Sequence, residues 1–172
     1  MEQLIDLVWL AGILDGEGNF HLAKRQVTKW HSRPYLDIKI RVSNTDLRMI
    51  KRIGEIYSKY NLCFHYANVN FKNKNWKNAL SINVGTQGSA RKLLELVVPY
   101  LVNRKKLAQI LLETLNFIKN FPKGGNTVRY NYWEDKTMIE LLSQFQKEKS
   151  WYFDPSTTTR KANTILVFDD IV

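Results

Sequence analysis

The stretch WLAGILDGEGNF, Trp9 to Phe20, joins an apolar run to a strand-like one. Upstream and within it, Leu4, Ile5, Leu7, Val8, Ala11, Gly12 and Leu14 recur at helical spacing across residues 2–14. The apolar arc is wide, so this helix expects neighbours on most sides. Gly12 offers a position where another backbone can approach closely. The run then meets Asp15 and Glu17, separated by Gly16 and followed by Gly18. A carboxylate near a helix C-terminus feels the wrong end of the helix dipole, so something else must hold it. Two readings stand. In one, Asp15 caps a turn, Glu17 is solvated and the glycines are turn residues. In the other, the acids bind a hard cation such as Mg²⁺, which takes oxygen ligands and keeps waters. One chain is a poor site for that. Two such helix ends meeting at a symmetry axis would supply enough ligands for phosphodiester hydrolysis assisted by metal ions.

Working outward, Phe20 to Val27 reads as a strand with Phe20 and Leu22 on one face and His21, Ala23, Arg25 and Val27 on the other. Trp30 to Pro34 is a polar connection. Leu36, Ile38, Ile40 and Val42 alternate strictly with Asp37, Lys39 and Arg41, the mark of a half-buried antiparallel strand. Ser43, Asn44, Thr45 and Asp46 are helix-cap residues. They precede a helix carrying Leu47, Ile50, Ile53, Ile56 and Tyr57 that should end near Asn61. Cys63 to Asn70 and Ala79 to Val84 form a second strand pair, joined by the basic stretch NFKNKNWKN; Ser81 and Asn83 should point outward. A helix starting over Gly85–Ser89 ends at Pro99, and another covers about Arg104 to Lys119. FPKGGN is a break, Thr137 to Lys149 a last helix, and the tail after Asp154 has no assigned element.

The expected fold is therefore α+β. An αββαββα core over residues 1–120 places helices on one face of a four-stranded antiparallel sheet, and residues 121–172 form a C-terminal helical extension and tail of the same domain. The other sheet face would carry His21, Arg25, Asp37, Lys39, Arg41, Ser81 and Asn83. Such a face suits the major groove, where base edges are distinguishable.

The 172 residues suit one compact domain, and eight Phe, eight Tyr and five Trp can fill its core. Lys and Arg number 26 against 16 Asp and Glu, a formal charge of +10 that attracts polyanions, nucleic acid first and an anionic membrane surface second. The single cysteine, Cys63, excludes an intrachain disulfide and a Cys-rich zinc site and fits a reducing compartment. Met1 to Asp6 holds two acids and no basic leader, and no uncharged run nears the length of a membrane span, so an intracellular, membrane-free protein is expected. Phosphate-loop and dinucleotide fingerprints are not found.

Residues 10–18, LAGILDGEG, resemble the signature of the LAGLIDADG homing endonucleases, matching at Leu10, Ala11, Gly12, Asp15 and Gly18 with Glu17 at the last acidic position. The element order is similar over residues 1–120. The resemblance implies an intron-encoded, site-specific DNA endonuclease. Its signature helices would pack together through Leu7, Val8, Ala11, Gly12 and Asp15. Glu17 would hold a divalent cation (Mg²⁺, with Mn²⁺ or Ca²⁺ able to replace it), with the Gly16 carbonyl as a further ligand. Asp15 would be structural. Asn44 would position water or merely cap a helix. Arg48 would lie near the site or be solvated. Arg104, or the adjacent Lys105, would sit near the scissile phosphate, the register over Arg104–Lys106 being open.

A single copy of the signature implies a homodimer on a long, pseudo-palindromic duplex. Asp37, Lys39, Arg41, Ser81 and Asn83 would read bases, while Lys72, Lys74 and Lys77 would hold phosphates. A maturase that binds intron RNA, and a DNA-binding protein that does not cut, keep the same fold. A structural RNA-binding protein would instead need stacking aromatics, for which Phe64 and Tyr66 are the candidates.

Overall fold

The computed structural model describes residues 2–25, 35–69, 78–121 and 135–150. In chain order these form α1 (Glu2–Glu17), β1 (Gly18–Arg25), β2 (Tyr35–Asn44), α2 (Leu47–Lys59), β3 (His65–Val69), β4 (Ala79–Val84), α3 (Gln87–Val97), a 3₁₀ turn (Val98–Tyr100), α4 (Lys105–Asn120) and α5 (Lys136–Ser150). The expected α+β architecture is present: one antiparallel sheet ordered β1-β2-β4-β3, with the helices on one face. Val27, the Trp30–Pro34 connection, Lys72, Lys74, Lys77 and the tail lie outside the described residues. Among the described residues no helix is long and apolar enough to cross a membrane.

The alternation seen in the sequence sets the layers. Phe20, Leu22, Ile38, Ile40, Val42, Ile82 and Val84 point to the helices and are buried. Ile53, Ile56 and Tyr57 of α2, Leu93 and Leu94 of α3, and Leu107 and Leu111 of α4 close over them. Met138, Leu141 and Phe145 bring α5 into the same core, and α5 rests on α4 and β1.

The start of α2 follows from its cap residues. Asp46 is the N-cap and accepts from the Arg48 backbone N–H (2.9 Å), while Asn44 Oδ1 accepts from the Asp46 N–H (2.8 Å). The helix stops at Tyr60, and Asn61 takes a left-handed φ of 51°. Gly54 lets β3 approach α2, because a Cβ there would strike the Tyr66 hydroxyl. Phe64 packs edge-on between Tyr57 and Tyr66. Neither Phe64 nor Tyr66 lies on the polar face, so the stacking platform considered for RNA does not form there. Cys63 precedes β3 instead of starting it, with its N–H on Ser89 Oγ (2.9 Å).

Helix α1 runs through Glu17, past the expected end at residue 14. Its inward side holds Asp6, Leu10, Ala11 and Leu14, all buried. Asp6 is nearly covered yet ionic: Lys59 Nζ (2.8 Å) and Arg52 (2.5 Å) reach it from α2. The Lys59 hydrogen bond, supported by Arg52, holds its carboxyl below the usual range. The outward side carries Leu4, Ile5, Val8 and Trp9, all exposed, and at Gly12 and Gly16 an added Cβ would meet only open space. Ala11, expected at the interface, is fully buried within its own chain, and Ile5 and Trp9 stand on the outer face with Val8 and Gly12. Leu7 is half-buried between the two sides.

Candidate nucleic-acid interface and the cleft at Glu17

The end of α1 is locked to the start of α4 from both directions. Asp15 accepts from three successive backbone N–H groups, Val102 (2.7 Å) and Asn103 (3.2 Å) on Oδ2 and Arg104 (2.9 Å) on Oδ1. It thereby occupies the donor-rich entry to α4, where a carboxylate is favoured. Arg104 returns the contact. Its Nε donates to the Asp15 carbonyl (2.9 Å), and its terminal nitrogens donate to the carbonyls of Gly18 and Gly16 (3.4 Å for Gly16). The last carbonyls of α1 thus receive a cation, as a helix C-terminus requires. Gly18 must be glycine-sized, since a Cβ would collide with the Leu14 carbonyl.

This clasp leaves Glu17 outside it. Among the described residues Glu17 has neither an ion pair nor a hydrogen bond, and its side chain is exposed. It borders a cleft of about 210 Å³ with Gly18, Asn19, Phe20, Arg104, Leu107 and Lys149. Lys149 comes from the last turn of α5 and is half-buried. Burial and then the nearby Arg104 guanidinium push its ammonium below the usual lysine value.

The other expected residues of this region separate. Asn44 ends β2 at the same end of the sheet, since Gly18 pairs with Val42, but its side-chain oxygen is engaged in the α2 cap. Arg48 is fully exposed and forks onto Asp46 (3.1 and 3.0 Å). Lys105 is exposed and does not line the cleft, and Lys106 pairs with Glu148 of α5 (3.2 Å). Of residues 104–106, Arg104 is the one that borders the cleft.

The polar sheet face is largely paired within itself, although His21 Nε2 is buried without a hydrogen-bond partner among the described residues. Asp37 accepts from Arg25 Nε (3.1 Å) and Lys39 Nζ (2.9 Å), and His21 Nε2 lies 3.5 Å away. Burial would raise the Asp37 carboxyl, but hydrogen bonds from Lys39 and Arg25 outweigh it and hold the group low. Burial, with the charges of Lys149, Lys39 and Arg25, lowers the His21 imidazole against the pull of Asp37. Next to this hub Arg41 Nε donates to Asn83 Oδ1 (2.5 Å), Asn83 Nδ2 to Ser81 Oγ (3.1 Å), and Ser81 Oγ to the Ala67 carbonyl (3.0 Å). Ser81 and Asn83 lie on the polar face as expected, yet each is only 1% exposed, so they are covered by their neighbours instead of standing in solvent.

Three features escaped sequence reading: the Asp37 hub, the Arg104 grip on α1, and Lys149. Only the last left a signal. Met138, Leu141 and Phe145 form the inward stripe of α5, and Lys149 stands four residues beyond Phe145 on that stripe.

No family profile and no curated protein sequence matches the chain. Solved structures do. The homing endonuclease I-CvuI in complex with its target superposes with a TM-score of 0.65 at 17% identity, over 96% of this chain and 89% of that one. An archaeal intron-encoded homing endonuclease complexed with DNA gives 0.62 at 13% identity, over 94% and 91%. The meganuclease I-SmaMI gives 0.56 at 14%, covering 86% of this chain and 45% of that one. By these superpositions the chain has the fold of the homing endonucleases.

Proposed function

We propose that two copies of this chain form a site-specific DNA endonuclease that makes double-strand cuts in a long, pseudo-palindromic target. The observation that carries the reading is α1: its outer face of Ile5, Val8, Trp9 and Gly12 is uncovered, and it ends in the unpaired Glu17. Pairing α1 with its copy buries that face and brings two Glu17 side chains together on one axis. The chain spans nearly all of I-CvuI and under half of I-SmaMI, in keeping with two copies per target.

The donor set fits a hard cation as a half-site. Glu17 offers free carboxylate oxygens, and the Gly16 carbonyl receives only one long hydrogen bond. Among the described residues no three acids, histidines or cysteines cluster, so the second copy must complete the ligands. Mg²⁺ held there, or Mn²⁺ or Ca²⁺ in its stead, would supply Lewis-acid charge to the phosphodiester. Asp15 and Arg104 keep the Glu17 backbone in place. Asn44, released from the α2 cap, would orient water, and Arg48, at the exposed start of α2, and Lys105 would contact nearby phosphates. His21, Arg25, Asp37, Lys39, Arg41, Ser81 and Asn83 would face base edges, with Lys72, Lys74 and Lys77 on the backbone. The absence of Phe64 and Tyr66 from the polar sheet face favours a duplex over stacked single-stranded RNA. The sheet and α1 alone would equally serve a non-cutting binder or a maturase acting on intron RNA; the free carboxylate favours the nuclease.

The test is cleavage of a randomised duplex library with Mg²⁺, beside a Glu17→Gln protein. Double-strand cuts at a near-palindrome, absent in the variant, are expected. Binding without cutting by both proteins would select the DNA-binding alternative. Absence of duplex binding would overturn the proposal and turn attention to structured RNA.

A further inference from the structure

Two charges of opposite sign border the cleft and do not meet. Among the described residues neither Glu17 nor Lys149 takes part in an ion pair or hydrogen bond, although both line the same 210 Å³ space. The third charge there, Arg104, points its nitrogens at the carbonyls of Asp15, Gly16 and Gly18. Its neighbours on α5 have other assignments: Glu148 pairs with Lys106, and Lys147 is exposed on the other side, against the α4–α5 groove. Among the described residues no carboxylate pairs with the half-buried Lys149 ammonium, which lies near a guanidinium, an arrangement that costs free energy. An anion entering the cleft relieves it. The buried anchors Met138, Leu141 and Phe145 fix α5 so that Lys149 is delivered there.

Building on the endonuclease reading, we propose that Lys149, from the C-terminal helix, contacts a phosphate oxygen of the duplex beside Glu17 and is the cation that answers charge on that phosphate, while Arg104 holds the helix end. Lysine suits the role as a compact point charge on a flexible stem. The C-terminal helix is then part of the site and not only a cover for the core.

The experiment uses the full chain and a target recovered from the library. Single-turnover cleavage in Mg²⁺ is compared for wild type, Lys149→Met, Lys149→Arg and the control Lys147→Met, with duplex affinity measured in Ca²⁺. Lys149→Met should cut about 100-fold more slowly with little change in affinity. Lys149→Arg should recover much of the rate, and Lys147→Met should match wild type. Equal cutting by wild type and Lys149→Met overturns this inference and leaves the endonuclease reading intact. Acylation of surface amines, read by mass spectrometry with and without duplex, supplies an answer independent of cutting and of whether a variant folds. Protection of Lys149 with Lys147 still reactive supports the contact even if the protein proves not to cut. An unprotected Lys149 in a protein that binds DNA overturns it. If no duplex is bound, both readings fall.

Discussion

Asp15 and Arg104 hold each other's backbone: the carboxylate takes the Arg104 N–H at 2.9 Å, and the guanidinium takes the Asp15 carbonyl at 2.9 Å. Eighty-nine residues of chain separate them. The pair engages one of the two acids of the helix end, Asp15, and leaves the other, Glu17, outside it.

That division is measurable. Asp15→Ala strands three backbone donors and should lower stability by about 1–3 kcal/mol. Glu17→Gln removes a solvated, unpaired carboxylate and should leave the unfolding midpoint where it was while abolishing cleavage. Denaturant titrations beside cleavage assays check both. Equal destabilisation by the two changes would contradict the division.

Asp37 predicts a pH dependence. Its folded carboxyl titrates below the unfolded value near 4. The stability it contributes is therefore present above that value and disappears as pH falls through the folded one. Asp37→Asn should cost about 1–3 kcal/mol at neutral pH, and the gap between the two proteins should close on acidification. Unfolding curves taken across that range test it. A gap that widens in acid would reverse the sign.

Gly12 tests assembly apart from folding. Within its own chain an added side chain there meets open space, so Gly12→Leu should fold as well as wild type or slightly better. Across a helix pair the same side chain blocks close approach, as does Trp9→Glu. Sedimentation should show a dimer for wild type and monomers for both variants. Persisting dimers would move the interface elsewhere.

Phe145 anchors α5 in the core. Phe145→Ala should cost about 3–5 kcal/mol and loosen the helix that carries Lys149. Hydrogen exchange should then rise along α5 more than along β2. Uniform protection would mean that α5 does not depend on this side chain.

Much of the fold was legible because local rules agreed. Alternation from Leu36 to Val42 sets the register that puts Asp37, Lys39 and Arg41 on one face. Asp46 starts α2, and Pro99 closes the helix before it. The limits are equally physical. The apolar arc of α1 is so wide that periodicity could not say whether Ala11 or Trp9 turned inward; only packing against β2 and α3 decides. Ser81 and Asn83 alternate as outward residues, yet long neighbouring side chains cover them, which a two-residue period does not encode. Which of Arg104, Lys105 and Lys106 borders the cleft depends on the turn before α4. Lys149 lay in a segment where spacing is informative only once the inward stripe of α5 is known.

The internal bonds of the polar sheet face make the protein its own first ligand. Arg41 Nε is occupied by Asn83, and Lys39 and Arg25 are engaged by Asp37, so a partner that reaches these nitrogens competes with an internal bond. Each internal bond sets a threshold that an incoming partner has to exceed. A well-matched partner replaces the bonds it breaks, whereas a poorly matched one leaves buried polar groups stranded. Binding through this face is consequently an exchange, in which discrimination between partners is gained at the expense of absolute affinity.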